Sequence, residues 1–306
     1  MKRDWIKELR ILVDGSFLAD EPMKRHTSFK IGGPAELLFM PKTQDDLIKA
    51  IRFLDENGIK RYIIGSGTNI LVSDKGLKGC VIKLAGIMKG IKIIRREKQE
   101  VFLNVMAGES LARLNEFAIK NGFIGTEFCF GIPGSVGGAI AGNAGTRLGE
   151  MGDIVNSLTL IREMGELETL KRGRLFFAYR ECGIPEDSVI LSAEIVLRDG
   201  GRDVSMKSVE ELKQYRKKSQ PYGYPSAGSV FKNPKEDSAG RLIELAGLKG
   251  LRLNDAEISQ MHANFIVNRG NADAKSVIKL IDIARSEVQK LFGIRLELEI
   301  RLLGEF

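Results

Sequence analysis

Between Gly131 and Gly145 the chain reads Gly-Ile-Pro-Gly-Ser-Val-Gly-Gly-Ala-Ile-Ala-Gly-Asn-Ala-Gly, six glycines in fifteen residues with mostly small side chains between them. Ordering so glycine-rich a run costs more backbone entropy than ordering an average one. A fold that keeps it therefore gains something in return: close approach of backbone to backbone, or of backbone N–H groups to a ligand such as a diphosphate. The whole chain shares the bias. It has 34 glycines in 306 residues, where average usage of about 7% gives roughly 21, and no triplet period makes it collagen-like. Hydrophobic residues at 43% and charged residues at 28% place it among globular proteins rather than disordered or membrane chains. At about 150 residues per domain, two or three domains are expected.

The formal net charge is +7, from 47 Lys and Arg against 40 Asp and Glu. Nucleic acid, anionic lipid and phosphorylated small molecules all satisfy that balance. The basic runs Arg95-Arg96, Lys171-Arg172-Gly173-Arg174 and Arg216-Lys217-Lys218 are short and interleaved with apolar or acidic positions, which reads as solvated element ends rather than a nucleic-acid stripe. Cys80, Cys129 and Cys182 are widely spaced. They suit neither a zinc site nor a disulfide framework, and fit small core thiols in a reducing cytoplasm. Lys2 and Arg3 lead into Asp4, Lys7 and Glu8 without an apolar targeting segment. No stretch approaches the roughly 20 apolar residues of a membrane span. The expected location is cytoplasmic.

Helical spacing is expected over residues 4–13, from Thr43 to Asn57-Gly58, from Ser110 to Asn121-Gly122, at 209–218 and at 241–246. A longer amphipathic helix places Val277, Ile281, Ala284, Val288 and Leu291 on one face and stops at Gly293. Strands are expected at 61–64, 70–73, 80–84, 90–94, 101–106, 157–162, 189–197 and 265–268. The last strand alternates, with Leu296, Leu298, Ile300 and Leu302 facing one way. Gly200-Gly201 marks a boundary, after which the charged helix and a Pro/Gly/Ser stretch change the texture of the chain.

Three segments could carry chemistry. Gly65-Ser66-Gly67-Thr68-Asn69 follows the apolar run ending at Ile64, with a strand rather than a helix after it. It is neither a P-loop nor a dinucleotide fingerprint. A plain turn and a diphosphate-binding turn both fit it. Consecutive N–H groups of the Gly131–Gly145 run can line a diphosphate or the edge of a polar ring system, and a Gly/Ala-rich packing turn fits it as well. In the proline-bracketed segment 220–234, Ser229 precedes Lys232 and Asn233. Neither His26 nor His262 can be assigned to Ser229 as a base, and no nucleophile elbow is present, which argues against a hydrolase triad. A proton-donating serine and a structural serine both fit. Tyr179-Arg180, Glu299 and Arg301 are further charged or polar candidates, for which surface ion pairing is the plain alternative.

In order along the chain, Arg25 to Ala35, the turn 65–69, the run 131–145, Ala178-Tyr179-Arg180, Gly228 to Pro234, His262 to Asn268 and Leu296 to Arg301 together resemble the MurB family of UDP-N-acetylenolpyruvoylglucosamine reductases. The resemblance spans residues 20–304 and implies an α+β chain. It would have a vanillyl-alcohol-oxidase (PCMH) type FAD-binding domain in two subdomains, 1–84 and 85–202, and a C-terminal α/β substrate-binding domain, 203–306. It implies a UDP-N-acetylmuramate dehydrogenase of peptidoglycan precursor synthesis, with hydride passing from NADPH to FAD and on to the enolpyruvyl group.

The cofactor contacts implied are Ile64, Gly65, Ser66, Gly67, Thr68, Asn69, Gly131, Pro133, Gly134, Ser135, Gly137, Gly138, Asn143, Ala144 and Gly145. By the same resemblance Ser229 donates the proton, and Arg180 and Glu299 face the developing negative charge, Glu299 in its protonated form. Tyr179, Lys232, Asn233 and Arg301 are the substrate-binding candidates. The absence of a Gly-Gly-His attachment motif implies non-covalent FAD. Gln260-Met261 stands where many relatives place a lysine before the histidine, and the chain between Tyr179 and Gly228 is too short for the tyrosine-bearing lid of one subgroup. No metal, nucleic-acid or membrane partner is expected, and a monomer is. A different flavin oxidase of the same fold and a basic nucleic-acid-binding module are the alternatives; the low aromatic content of 7% argues against the latter.

Overall fold

A computed structural model of the protein describes residues 4–235 and 237–306, with only the backbone at 202–205 and 208. Lys2 and Arg3 lie outside the described residues. The chain forms two compact units that interleave along the sequence. Among the described residues, the first contains 4–18, Leu37–Ser66 and Gly79–Tyr215; the second contains Ala19–Glu36, Gly67–Lys78 and 216–306.

The first unit is organised around an antiparallel sheet in the order Leu167–Lys171, Val155–Ile161, Val189–Asp199, Glu100–Met106, Ile91–Glu97, with Phe123–Ile124 pairing the end of Val189–Asp199. Alternation along Glu100–Met106 buries Val101, Leu103 and Val105 on one face. The helix Leu111–Lys120 covers that face with Leu111, Leu114 and Ala118. Ser110 caps it, its hydroxyl accepting from the Arg113 N–H at 3.1 Å. In the same unit, Arg61–Ile64 pairs in parallel with residues 80–83 of the strand Leu77–Lys83. Helix Gln44–Glu56 buries Leu47, Ala50, Ile51 and Leu54 among Leu37, Phe39, Cys80 and Ile82. Its start is the one the sequence predicts. The Thr43 hydroxyl accepts from the Asp46 N–H, and the Asp46 carboxylate accepts from the Thr43 N–H.

In the second unit, helices Ala239–Leu245 and Ala274–Phe292 pack with a three-stranded sheet, Arg252–Leu253, Ala256–Ile258 and Ile266–Asn268. Ile70–Val72 and Arg301–Leu303 pair in parallel. The buried face of the long helix is Val277, Leu280, Ile281, Ala284 and Val288.

Three expectations are corrected. Leu291, expected on the buried face of the long helix, is 53% exposed in its last turn. The run Gly131–Gly145, where no helix is expected, contains a short helix, Val136–Ala141, whose Val136, Ala139 and Ile140 are buried; tertiary packing overrides low helix propensity there. The alternating terminal strand is not continuous. Leu296 and Ile300 are buried as expected, but the ladder strand is only Arg301–Leu303, and Leu302 is exposed. Among the described residues, no helix is long and apolar enough to cross a membrane, and no cluster of His, Cys, Asp and Glu could hold a metal ion.

Candidate functional site

In the first unit, the two glycine segments meet. The strand Arg61–Ile64 ends with Ile64 in register with Lys83, a half-buried cation whose pKa burial pushes down. The turn that follows leaves no room for a side chain at Gly65: a Cβ there would lie 2.2 Å from the Ser135 Oγ. Ser135 is buried and caps Val136–Ala141, its hydroxyl accepting from the Gly138 N–H at 3.4 Å. Gly137 packs on Ala107, where a Cβ would come within 2.7 Å of the alanine methyl, and Gly145 packs equally closely on Glu150. These glycines answer to protein atoms. Gly138 does not: it is exposed, and a Cβ on it would meet only the Ser135 Oγ at an ordinary 3.4 Å. Gly131 and Pro133 are exposed as well, and positions of this kind let a flat or diphosphate-bearing ligand approach the backbone closely.

Asn143 closes the run in a left-handed conformation, φ 38°, and is fully buried. Its Oδ1 accepts from the Gly152 N–H at 2.9 Å, and its Nδ2 donates to Glu150 Oε1 and to the Ala178 carbonyl, both at 2.8 Å. The side chain thus holds the protein together, whatever its backbone does toward a ligand. Ala178 ends the first arm of a hairpin, Phe176–Ala178 and Glu181–Gly183, and Tyr179 and Arg180 form its turn. Arg180 is half-buried at φ 59°, its Nη2 donating to the Gly145 carbonyl at 3.2 Å and its guanidinium 5.1 Å from the Tyr179 ring centre. The candidate arginine is therefore tied to the C-terminal end of the glycine run. Tyr179 is 48% exposed.

The second unit holds the other candidates. Gly67 adopts φ 68°, and a Cβ on it would fall 2.0 Å from the His26 carbonyl oxygen, so the glycine there is required by both conformation and space. Thr68 is half-buried and Asn69 exposed. The Asn69 Nδ2 donates to the Glu299 carbonyl at 3.1 Å, and its own carbonyl accepts from the Arg301 N–H at 3.0 Å. Ser229 opens an extended segment that lies antiparallel to 297–300: the Glu299 N–H donates to the Val230 carbonyl at 2.8 Å, Phe231 stands opposite Leu298, and the Lys232 N–H donates to the Glu297 carbonyl at 2.9 Å. Ser229 and Glu299 are both half-buried on these adjacent ribbons. Asn233 turns its Oδ1 to the Ala239 N–H at the start of a helix, at 3.0 Å, and Arg301 is exposed. Arg180 lies in the first unit, and Ser229, Lys232, Asn233, Glu299 and Arg301 in the second.

Comparison with known proteins bears on both units. A family model described as FAD binding domain matches residues 35–171, and one described as UDP-N-acetylenolpyruvoylglucosamine reductase, C-terminal domain, matches residues 220–303. Over 302 residues, 98% of this chain and 96% of the relative, the sequence is 41% identical to a UDP-N-acetylenolpyruvoylglucosamine reductase of Syntrophus aciditrophicus (strain SB). The chain belongs to the UDP-N-acetylenolpyruvoylglucosamine reductase family, MurB. A solved MurB structure from Thermus caldophilus superposes with a TM-score of 0.81 at 34% identity, covering 95% of this chain and 99% of that one. A glucooligosaccharide oxidase from Acremonium strictum, 13% identical with a TM-score of 0.50 over 97% of this chain and 60% of its own, shares the fold alone. The α+β fold with a PCMH-type FAD-binding domain is thus the fold of this MurB chain.

Within it, the FAD-binding match contains Gly65 and the whole run 131–145, the C-terminal match contains Ser229 and Glu299, and Arg180 lies between the two matches. The sequence assigned no role to Asn264, although it lies in the motif 262–268, nor to Asp74; both hold backbone in the second unit. The readable signal for Asn264 was a polar side chain inside the apolar run Ala263 to Val267, which must find partners if buried.

Proposed function

We propose that the chain reduces the enolpyruvyl group of UDP-N-acetyl-3-O-(1-carboxyvinyl)glucosamine to the lactyl ether of UDP-N-acetylmuramate, with NADPH as hydride donor and non-covalently held FAD. The observation that carries the reading furthest is the backbone pairing of the Ser229 segment with the Glu299 segment, in a chain that belongs to this family throughout its length. Bound FAD supplies the relay of hydride from NADPH to the enolpyruvyl methylene carbon. Everything else falls to side chains. The Ser229 hydroxyl donates its proton to the carbon next to the one that takes hydride; a donor needs no base beforehand, which fits a serine with no assigned histidine. The Arg180 cation and a protonated Glu299 stabilise the negative charge that builds over the substrate carboxylate. Lys232, Asn233, Arg301 and Tyr179 bind the substrate's anionic groups and sugar.

The turn 64–69 and the run 131–145 hold FAD, with Gly131, Pro133 and Gly138 as the positions of close approach. The three-way division 1–84, 85–202 and 203–306 is proposed on the same basis, as are a cytoplasmic location and a monomeric state. The test separates the half-reactions. The purified protein should be yellow. Anaerobic NADPH should bleach its flavin band, and UDP-N-acetylenolpyruvoylglucosamine should restore it. In Ser229→Ala, bleaching by NADPH should proceed at the normal rate while restoration slows by several orders of magnitude. Failure of the substrate to restore the band in the unaltered protein would sink the assignment, and equal losses in both steps of the variant would remove Ser229 from the donor role.

A further inference from the structure

The extended segment that begins at Ser229 is held along both edges, and the two edges are built differently. On the Glu299 side it pairs with main chain alone. On the other side Ser229 stands opposite Phe265, and the Val230 N–H donates to the Asn264 carbonyl at 2.8 Å. There the main-chain pairing stops and a side chain takes over. The Phe231 N–H donates to Asn264 Oδ1 at 2.9 Å, and Asn264 Nδ2 donates to the Phe231 carbonyl at 2.8 Å. One primary amide thus substitutes for a strand residue, meeting the N–H and the C=O of a single buried residue at once. Asn264 is 3% exposed and Phe231 2%, so water does not readily replace either bond. The Asn264 N–H is itself directed to His262 Nδ1 at 3.2 Å, which fixes the turn that presents the amide.

An amide of this length is the chemistry the position demands. It offers a donor and an acceptor in one plane; a carboxylate would set a second acceptor against the Phe231 carbonyl, and a leucine would leave both backbone groups buried without partners. The strain would not stay local. Relief requires the 229–232 ribbon to shift, and because the Val230 carbonyl holds the Glu299 N–H, a shift moves Ser229 and Glu299 together.

We infer that Asn264 is a positioning residue for the reduction: through the Phe231 backbone it sets where the Ser229 hydroxyl and the Glu299 carboxyl stand. The inference rests on the function proposed above. Because a misplacement of about 1 Å can cost about a hundredfold in rate, replacing the amide should slow the substrate half-reaction by about that factor and spare the NADPH half-reaction.

The experiment uses the flavin-loaded full chain and the variants Asn264→Asp and Asn264→Ser. FAD content, the thermal transition and both half-reactions are followed by flavin absorption and stopped flow. In each variant we expect FAD retained, bleaching by NADPH within about threefold of the unaltered protein, and restoration of the band by UDP-N-acetylenolpyruvoylglucosamine slowed about a hundredfold. Asn264→Asp carries a second readout. A protonated carboxyl again offers one donor and one acceptor, and burial raises its pKa, so its substrate half-reaction should recover as pH falls, relative to the unaltered protein measured in parallel. The ratio discounts the charged groups around the ribbon: His262, Lys232, Glu297, Glu299, and Arg285, whose guanidinium lies 5.9 Å from the Phe231 ring centre. A purely structural asparagine predicts instead that both half-reactions fall together and recover together as pH drops. A normal substrate half-reaction in both variants overturns the inference. So does a parallel loss of both half-reactions, or failure of both variants to retain FAD, since either assigns Asn264 to holding the fold. Failure of the reading beneath it would show in the unaltered protein, whose reduced flavin would not respond to the substrate at all.

Discussion

A methyl group at residue 65 has nowhere to go. It would sit 2.2 Å from the Ser135 hydroxyl oxygen, and Ser135 is buried and caps the neighbouring helix. Overpacking of this kind costs about 1–3 kcal/mol, and the shift that relieves it displaces either the 65–69 turn or the start of Val136–Ala141. Gly65→Ala should therefore fold with a lower thermal midpoint and retain markedly less FAD through purification, measured as the ratio of flavin to protein absorbance; full retention would separate Gly65 from the cofactor. His262 sets a pH limit on the other unit. Burial, with the nearby Lys249 charge adding to it, holds its pKa below the ordinary 6.5, and its Nδ1 accepts the Asn264 N–H, which requires the neutral ring. Between the folded and unfolded pKa values the unfolded chain binds more protons. This contribution to stability is therefore complete above about pH 6.5 and is lost as pH falls through the lower, folded value. Urea midpoints measured from pH 7.5 down to 5 should drop on the acid side, and His262→Gln should flatten that part of the curve.

Among the elements, the long helix Ala274–Phe292 shows how distant sequence builds a local feature. Its own N-cap, Asp273, accepts from the Ser276 N–H at 2.6 Å. Two further N–H groups, of Ala274 and Lys275, are taken at 3.0 and 3.1 Å by the carboxylate of Asp74, two hundred residues earlier in the chain. Carboxylates at a helix N-terminus satisfy donors that the helix cannot and meet its positive end. Asp74→Ala should thus destabilise the protein by about 1 kcal/mol, in the range of losing a cap, although Asp74 lies in none of the segments read for chemistry. Chemical denaturation checks this, with Asp273→Ala as the companion of similar size. The N-cap at Thr43 was legible because cap and helix are contiguous in sequence. The Asp74 cap was not, because nothing in the residues around position 74 names a helix so far downstream.

Across the whole molecule the same division holds. Periodicity marked the helices beginning after Thr43, Ser110 and Asp273, the short β-rich runs, and the alternation that buries Leu296 and Ile300, because each pattern depends only on which face of one element is apolar. Ordered motifs were enough to mark the family, since each motif is contiguous. The sequence also singled out the glycine run, but not what its glycines do: Gly65, Gly137 and Gly145 answer to Ser135, Ala107 and Glu150, while Gly138 leaves backbone open, and only packed neighbours distinguish the two. Nor could it show that 19–36 and 67–78 join 216–306 in one unit, that Asn143 ties the glycine run to the Arg180 hairpin, or that Asn264 completes the edge of the Ser229 ribbon. The type of most elements and the chemical repertoire were determined by the order of residues, because local sterics and burial periodicity act over a few positions. The partners of buried polar groups, and the pairing of the Ser229 and Glu299 segments, were decided by tertiary structure, because such bonds form between residues that only folding brings within 3 Å.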